Sequence, residues 1–349
     1  MCKILIIRFR RIGDAVLTSS ICTTLKRSIP GCEIHYVLNT CIAPLFDTHP
    51  DIDKLITFSE EEKHSFFSYL RKIRKLMKTE KYDIIIDARS TLNTMYFPLF
   101  SLRSKYRIGR KKTYTRLIYN YRVDNVDINK NIIQHLQKLL DPLRKEFDIK
   151  DNTQFYLHCR GTEKSSYKSY MQSMGIDFTK PVIICAVCAR LQYKRWPMSQ
   201  MKTVLEKLLD KYSDTQLVFN YSGGQEKDFA QTLYKQMGQD PRIYINIEAK
   251  SLKELAALIS NCDYFFGNEG GPRHMAQALG IPSFAIFPPD ISIKVWLPDR
   301  SVAADGIEPQ EIDYKAAHNE ELSYQDRFDL ISPEEVWRRL DKNLQNLIY

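Results

Sequence analysis

The sequence predicts an α/β protein built from two doubly wound parallel sheets. Three observations carry that expectation. Short apolar runs alternate with longer amphipathic stretches, as strands and crossover helices do. The alternation stops in a polar stretch, residues 144–180, and then restarts. The chain has 349 residues and 44% apolar content, which exceeds one ordinary domain and supplies two cores. The expected division is residues 1–165, residues 166–330 and a terminal helix over 331–349.

In the first half, Lys3-Ile-Leu-Ile-Ile7 reads as a central parallel strand. Arg8 to Gly13 form a turn. Asp14 opens an amphipathic helix over 15–28, which Pro30 and Gly31 end. Residues 33–38, 54–58 and 82–87 read as further strands. A basic helix is expected over 64–79, with Phe66, Phe67, Leu70, Ile73 and Leu76 or Met77 turned inward. In the second half the strands are 181–187, 216–219, 243–245, 263–266 and 284–287. Helices are expected over 199–211, 226–237, 251–260 and 333–347, the third opened by a Ser251/Glu254 capping box and the last by Ser332.

Net charge is +9, which points to anionic partners: phosphate-rich small molecules, an acidic membrane surface or nucleic acid. The apolar run at 4–7 is too short for a signal-peptide core, and no stretch has the length of a membrane span. Eight scattered cysteines read as reduced thiols. Cys185 and Cys188 form the one close pair. It lies in a strand-like run without the second pair of a zinc site, so no metal is expected. Asp51 and Asp53 read as turn chemistry before a strand.

Five segments could carry chemistry or bind a ligand. Asn268-Glu-Gly-Gly-Pro-Arg-His274 follows a strand and opens a helix. Free amides and the helix dipole make such a corner an anion site, with Gly270 and Gly271 leaving the backbone open, Pro272 at the first helical position and His274 as a further donor. Gly13-Asp14 follows the first strand, where Asp14 can be a helix cap or a general base. The loop 190–197 carries Arg190, Lys194 and Arg195 at a strand's carboxyl end, suited to a phosphate leaving group. Gly223, Gly224 and Glu226 form another turn after a strand, with Glu226 able to accept ribose hydroxyls. Residues 103–122 hold eight Lys or Arg interleaved with tyrosines, fit for phosphorylated headgroups, nucleic acid or plain solvent. The first loop has one glycine and no dinucleotide fingerprint, so a nicotinamide enzyme is disfavoured. Ligands bind beyond the carboxyl ends of parallel strands, so Asp14 and the 268–274 corner are expected to line a shared cleft.

Together, the segments Lys3 to Asp14, Lys194-Arg-Trp-Pro197, Gly223-Gly224 and Asn268 to His274 with Met275-Ala-Gln-Ala-Leu-Gly-Ile-Pro282 resemble glycosyltransferase family 9, the heptosyltransferase family of lipopolysaccharide core assembly. The resemblance implies a GT-B fold, an acceptor domain followed by a nucleotide-sugar domain, and a last helix crossing back onto the first. It implies inverting transfer with Asp14 as base. The donor site is expected to comprise Lys194, Arg190, Arg195, Gly223, Gly224, Glu226, Glu269, Gly270, Gly271 and His274. Gly13, Arg10, Arg11, Arg107, Arg110, Lys111 and Lys112 are expected on the acceptor side. No metal or cofactor is implied. The co-substrate is a nucleotide diphosphate sugar, by family default ADP-heptose, and the acceptor a phosphorylated lipid-linked glycan. The implied location is cytoplasmic, peripheral at the inner membrane face, with no nucleic acid partner. The family usually has Asp then Ser or Thr where this chain has Glu269 and Gly270, and often hydroxyl residues near Ala189 and Arg190. The rival reading is a non-catalytic protein whose basic patch holds nucleic acid or anionic membrane.

Overall fold

The computed structural model describes residues 2–124 and 130–348. They fall into two compact units, residues 1–158 and 159–349. The boundary precedes the expected 165/166 because a helix, Gly161–Ser173, packs on the helix Leu252–Ser260 of the second unit. Its Tyr167 hydroxyl donates to the Glu248 carbonyl at 3.1 Å. Sequence alone left this helix unassigned because Tyr167 and Met171 are its only buried residues.

The first unit is a six-stranded sheet in the order β3-β2-β1-β4-β5-β6. Its strands are β1 Lys3–Ile7, β2 Glu33–Asn39, β3 Lys54–Phe58, β4 Ile84–Asp87, β5 Tyr106–Arg110 and β6 Tyr121–Val123. All adjacent pairs are parallel. The second unit has six strands in the order β12-β11-β10-β7-β8-β9. These are β7 Val182–Ala186, β8 Gln216–Phe219, β9 Ile243–Tyr244, β10 Tyr264–Asn268, β11 Ser283–Ile286 and β12 Ala304–Ile307, also all parallel. Counted from its own first strand, the second sheet repeats the order 3-2-1-4-5-6 of the first. Each unit is therefore doubly wound, with one topological switch point: between β1 and β4, and between β7 and β10. Ligands of such sheets bind at that point, beyond the strands' carboxyl ends.

Strands β5, β6 and β12 were not expected. They contain Arg, Gly and Asp, which have weak strand propensity, and they form because a neighbour's backbone pairs with them. The basic segment 103–122 thus contributes two strands to the sheet. The helix Phe66–Glu80 buries Tyr69, Ile73 and Met77 at spacing i, i+4, i+8 against Leu5, Ile56 and Phe58. This corrects the inward placement of Phe66 and Phe67, which are 50% and 84% exposed. A short helix, Glu60–His64, ends at Ser65 and resets the register. The terminal helix Pro333–Leu347 was expected to pack back on the first domain. Its Val336, Leu340 and Leu344 instead lie in the second unit's core beside the helix Met198–Lys211. Asp341 clamps it there through Lys211 (2.6 Å) and the Tyr212 hydroxyl (2.8 Å).

Glu80 ties the helix Phe66–Glu80 to two strands, accepting from Lys54 at 2.6 Å and Lys3 at 2.9 Å. Hydrogen bonds from Lys54, then Lys3, lower its pKa from 4.5 to about 2. A carboxylate whose pKa is depressed by folding adds stability above its unfolded pKa and loses it as pH falls through its folded value. Wild type is therefore expected to exceed Glu80→Gln in urea-unfolding stability at pH 6, with the gap narrowing below about pH 4.5. A pH-independent gap would contradict the assignment.

Candidate functional site

In the first unit, polar groups gather where β1 and β4 end. The helix Ile12–Ser28 starts four residues beyond β1, with Arg11 as N-cap and Asp14 at its third position. Asp14 is therefore not the N-cap itself. Its Oδ2 accepts from the Arg11 amide at 2.9 Å, which satisfies one orphan donor of the helix end. Its Oδ1 meets Arg8 Nη2 at 2.5 Å, and Arg8 Nη1 donates to the Ala88 carbonyl at 2.8 Å, beyond the end of β4. Arg8 thus bridges the switch point and holds the carboxylate, whose side chain stays 16% exposed.

Arg89 follows directly and was not singled out from the sequence. Burial, then repulsion from Arg8 and Arg10, lowers its pKa, while Asp14 opposes the shift. Arg10 and Arg11 are exposed, and Arg10 pairs with Glu60. Gly13 is buried in the helix's first turn. A carboxylate ringed by cations suits an anionic acceptor bearing a hydroxyl.

The other residues expected on the acceptor side have structural duties. Arg107 donates to the carbonyls of Ile118 (3.0 Å), Leu102 (2.7 Å) and Ser104 (3.0 Å). Arg110 is buried and donates to Asp124 O (3.0 Å) and His135 O (2.5 Å). Lys112 donates to Ser90 O at 2.7 Å, and Lys111 meets Asp124 at 3.2 Å. The basic run reads as a ligand patch in sequence because carbonyl-capping arginines look the same as free ones there. Asp51 and Asp53 hold local structure: Asp51 takes a bond from Thr23 (2.7 Å), and Asp53 from the Ile34 amide (2.6 Å).

In the second unit, the helix Gly271–Ala278 starts just past β10. Asn268, buried at the end of β10, joins three segments. Its Nδ2 donates to the carbonyls of Ala186 and Val187, each at 3.0 Å, and its Oδ1 accepts from the Trp196 amide at 2.8 Å. The Lys194 loop is thereby pinned to the helix corner across the switch point. Trp196 is fully buried and donates through Nε1 to Ile331 O at 3.1 Å, so it anchors the loop from below.

Glu269 leads the corner. Burial would raise its pKa, but a hydrogen bond from His274 and the charges of His274, Arg273 and Lys194 outweigh this and lower it. His274 Nε2 lies 3.4 Å from Glu269. Arg273, also missed in the sequence, is wholly buried. Its Nη2 donates to His274 and to the Trp296 carbonyl (2.7 Å), and its Nη1 to Gln277 (2.8 Å). Burial lowers its pKa to about 10. Arg273 fixes the His274 ring and puts positive charge at a helix N-terminus, a combination that an anionic ligand would relieve.

Pro272 occupies the second helical position, one later than expected. Gly270 has an extended backbone (φ 168), and an added Cβ would meet only Pro272 at 3.8 Å. The conformational demand falls on Gly267 instead. Its φ is +139, and a Cβ would lie 2.4 Å from the Ala186 carbonyl oxygen.

Of the remaining donor-side residues, Arg190 is exposed and Lys194 is half-buried. Arg195 donates Nε to Ala189 O at 2.7 Å and lies over Phe229, so it shapes the loop. Gly224, at φ +66, turns the chain into the helix Gln225–Gln236, next to the open Gly223. Glu226 accepts from the Ser222 amide at 2.9 Å, which spends one carboxylate oxygen on the turn. Gln192 donates to Gln225 at 2.9 Å and links this turn to the Lys194 loop. All eight cysteines are free. Burial pushes the Cys188 thiol up to about 12 and raises Cys185 as well, which leaves neither poised as a thiolate.

The model of glycosyltransferase family 9 (heptosyltransferase) matches residues 70–296. Lipopolysaccharide heptosyltransferase 1 of Campylobacter coli is 24% identical over 292 residues, covering 82% of this chain and 83% of that protein. A glycosyl transferase family 9 structure from Veillonella parvula superposes with TM-score 0.84 at 20% identity, covering 99% of this chain and 98% of that one. The structure of E. coli ADP-heptose lps heptosyltransferase II gives 0.75 at 19% identity, with 99% of each chain covered. The fold is GT-B.

Proposed function

Because the chain belongs to glycosyltransferase family 9, we propose that this glycosyltransferase moves a heptose from ADP-heptose to a lipopolysaccharide core or related lipid-linked glycan, with inversion. The observation that carries the reading is the repeated switch point. In the first unit it holds a carboxylate anchored by Arg8; in the second it holds a helix N-terminus flanked by Lys194, Arg273 and His274. The similar E. coli protein is named for ADP-heptose and the Campylobacter coli relative for lipopolysaccharide, which supports that donor and acceptor class.

In the proposed reaction, the first unit binds the acceptor and the second the donor. Asp14 takes the proton from the acceptor hydroxyl as its oxygen attacks the anomeric carbon. The bond to the diphosphate breaks on the opposite face. One base and one displacement give inversion, without the second carboxylate of a retaining glycosidase. The amides of Gly270 and Gly271, Lys194 and Arg190 receive the departing diphosphate, while Arg273 holds His274 toward it. With these groups neutralising the charge, the scheme draws on no metal ion and no other cofactor. Arg8, Arg10, Arg11 and Arg89 would receive anionic groups of the acceptor. Among the described residues no helix is long and apolar enough to cross a membrane. We place the enzyme in the cytoplasm, peripheral at the inner face of the inner membrane, where a lipid-linked acceptor would be met.

Lys194→Ala is expected to weaken ADP binding about tenfold by calorimetry, the effect of one charge-assisted contact. An unchanged dissociation constant would remove Lys194 from the donor site. In a thermal-shift screen, ADP and ADP-sugars should raise the melting temperature more than UDP or GDP counterparts. No shift with any nucleoside diphosphate would overturn the reading.

A further inference from the structure

We propose that the first unit docks on an anionic lipid surface through the helix Phe66–Glu80, using its amino-terminal corner and its outer stripe. The helix buries Tyr69, Ile73 and Met77. On the opposite side Phe67, Arg71, Arg74, Lys75 and Lys78 recur at i, i+4, i+7, i+8 and i+11, which places them on one face. All five are exposed. Lys72, off that face, reaches Glu62 at 2.6 Å, whereas Arg71, Arg74, Lys75 and Lys78 form no ion pair among the described residues. Like charges at i, i+3 and i+4 repel one another and destabilise an isolated helix, so this stripe gains from a negative partner.

The stripe ends in an apolar corner. Phe67 is 84% exposed and Phe66 50%. The Phe66 ring packs edge-on against Tyr96 (5.8 Å), Tyr96 stacks on Phe100 (6.5 Å), and the adjacent Leu99 is exposed as well. Exposed aromatics at one end of a cationic helix face match an anionic interface, with rings entering the headgroup layer and cations at the phosphates. A single-stranded nucleic acid would call for a groove with aromatics interleaved among the cations, and this face is the convex side of a helix.

The corner also stands at the useful edge of the sheet. β3 ends at Phe58, and Glu60, which follows it, pairs with Arg10 and accepts from Asn39 at the end of β2. A membrane at the corner would therefore adjoin the edge that carries Asp14. The purpose of docking rests on the lipid-linked acceptor proposed above, whereas vesicle binding itself can be read without any transfer.

The test is co-sedimentation of the full chain with phosphatidylcholine vesicles, with and without phosphatidylglycerol. Binding is expected only to the anionic vesicles and should weaken as salt rises. The quadruple variant Arg71→Gln, Arg74→Gln, Lys75→Gln, Lys78→Gln should lower the partition coefficient about a hundredfold or more, and Phe66→Ser with Phe67→Ser about tenfold. Both should keep the wild-type melting temperature and transfer to a delipidated acceptor. Arg103→Gln, Arg116→Gln, Arg122→Gln should bind vesicles as wild type does. Equal binding to neutral vesicles, indifference to both helix variants, or loss through residues 103–122 instead would overturn the proposal. So would a stripe needed for RNA retention and not for vesicles. Vesicle binding without any glycosyl transfer would keep the docking surface and sink the proposed reaction.

Discussion

Asp14→Asn is expected to leave the protein folded and to lower kcat for sugar transfer by about 10²–10⁴-fold, the usual contribution of a positioned general base. The two halves of this expectation come from the two oxygens of one carboxylate. Oδ2 accepts from the Arg11 amide, and an asparagine carbonyl oxygen can do the same, so the helix start survives. Oδ1 faces Arg8 Nη2 at 2.5 Å, where an amide has no charge to hold the guanidinium and cannot take a proton. Any stability loss should stay within about 2 kcal/mol, the upper end for a helix-capping contact. The measurement pairs thermal unfolding with single-turnover transfer under saturating donor. Activity within threefold of wild type would remove Asp14 from the chemistry. Loss of both folding and activity would make the residue a helix-start residue and nothing more.

Gly267→Ala is expected to destabilise the second unit by about 3 kcal/mol or more and to abolish donor binding with it. Gly267 pairs with Ala186 across the switch point, at φ +139. The added methyl would sit 2.4 Å from a backbone oxygen and 2.7 Å from its carbon, and backbone in the middle of a sheet cannot step aside. Asn268 is the next residue, so displacement there would also release the Lys194 loop. Gly270→Ala is the contrasting control. Its extended backbone suits any residue and its surroundings are open, so its melting temperature should stay near that of wild type. Equal, small effects of the two substitutions would show that the close approach of β10 and β7 is not what shapes the corner.

The contrast between these glycines shows where sequence reading ran out. Gly270 and Gly271 announce themselves by position, before a proline and a helix. Gly267 lies inside the run Tyr264-Phe-Phe-Gly-Asn268, and only the neighbouring strand makes its missing side chain necessary. The arginines divide the same way. Arg107 and Arg110 looked like ligand residues because the composition around them is basic, yet their donors end on carbonyls that come near only after β5 joins the sheet. Arg89 lies outside every motif and Arg273 sits inside one without standing out from it, and each matters through what a second segment brings against it.

Periodicity and turn chemistry, which act between near neighbours in the chain, were enough to determine the α/β class, the two doubly wound halves and the Asp14 and 268–274 turns. Partners distant in sequence decided the rest. They added the edge strands, moved the domain boundary to residue 158, anchored the terminal helix in the second unit and turned Phe67 outward. Local pattern records which face of a segment is apolar, whereas the surface that covers that face is supplied by residues tens to hundreds of positions away.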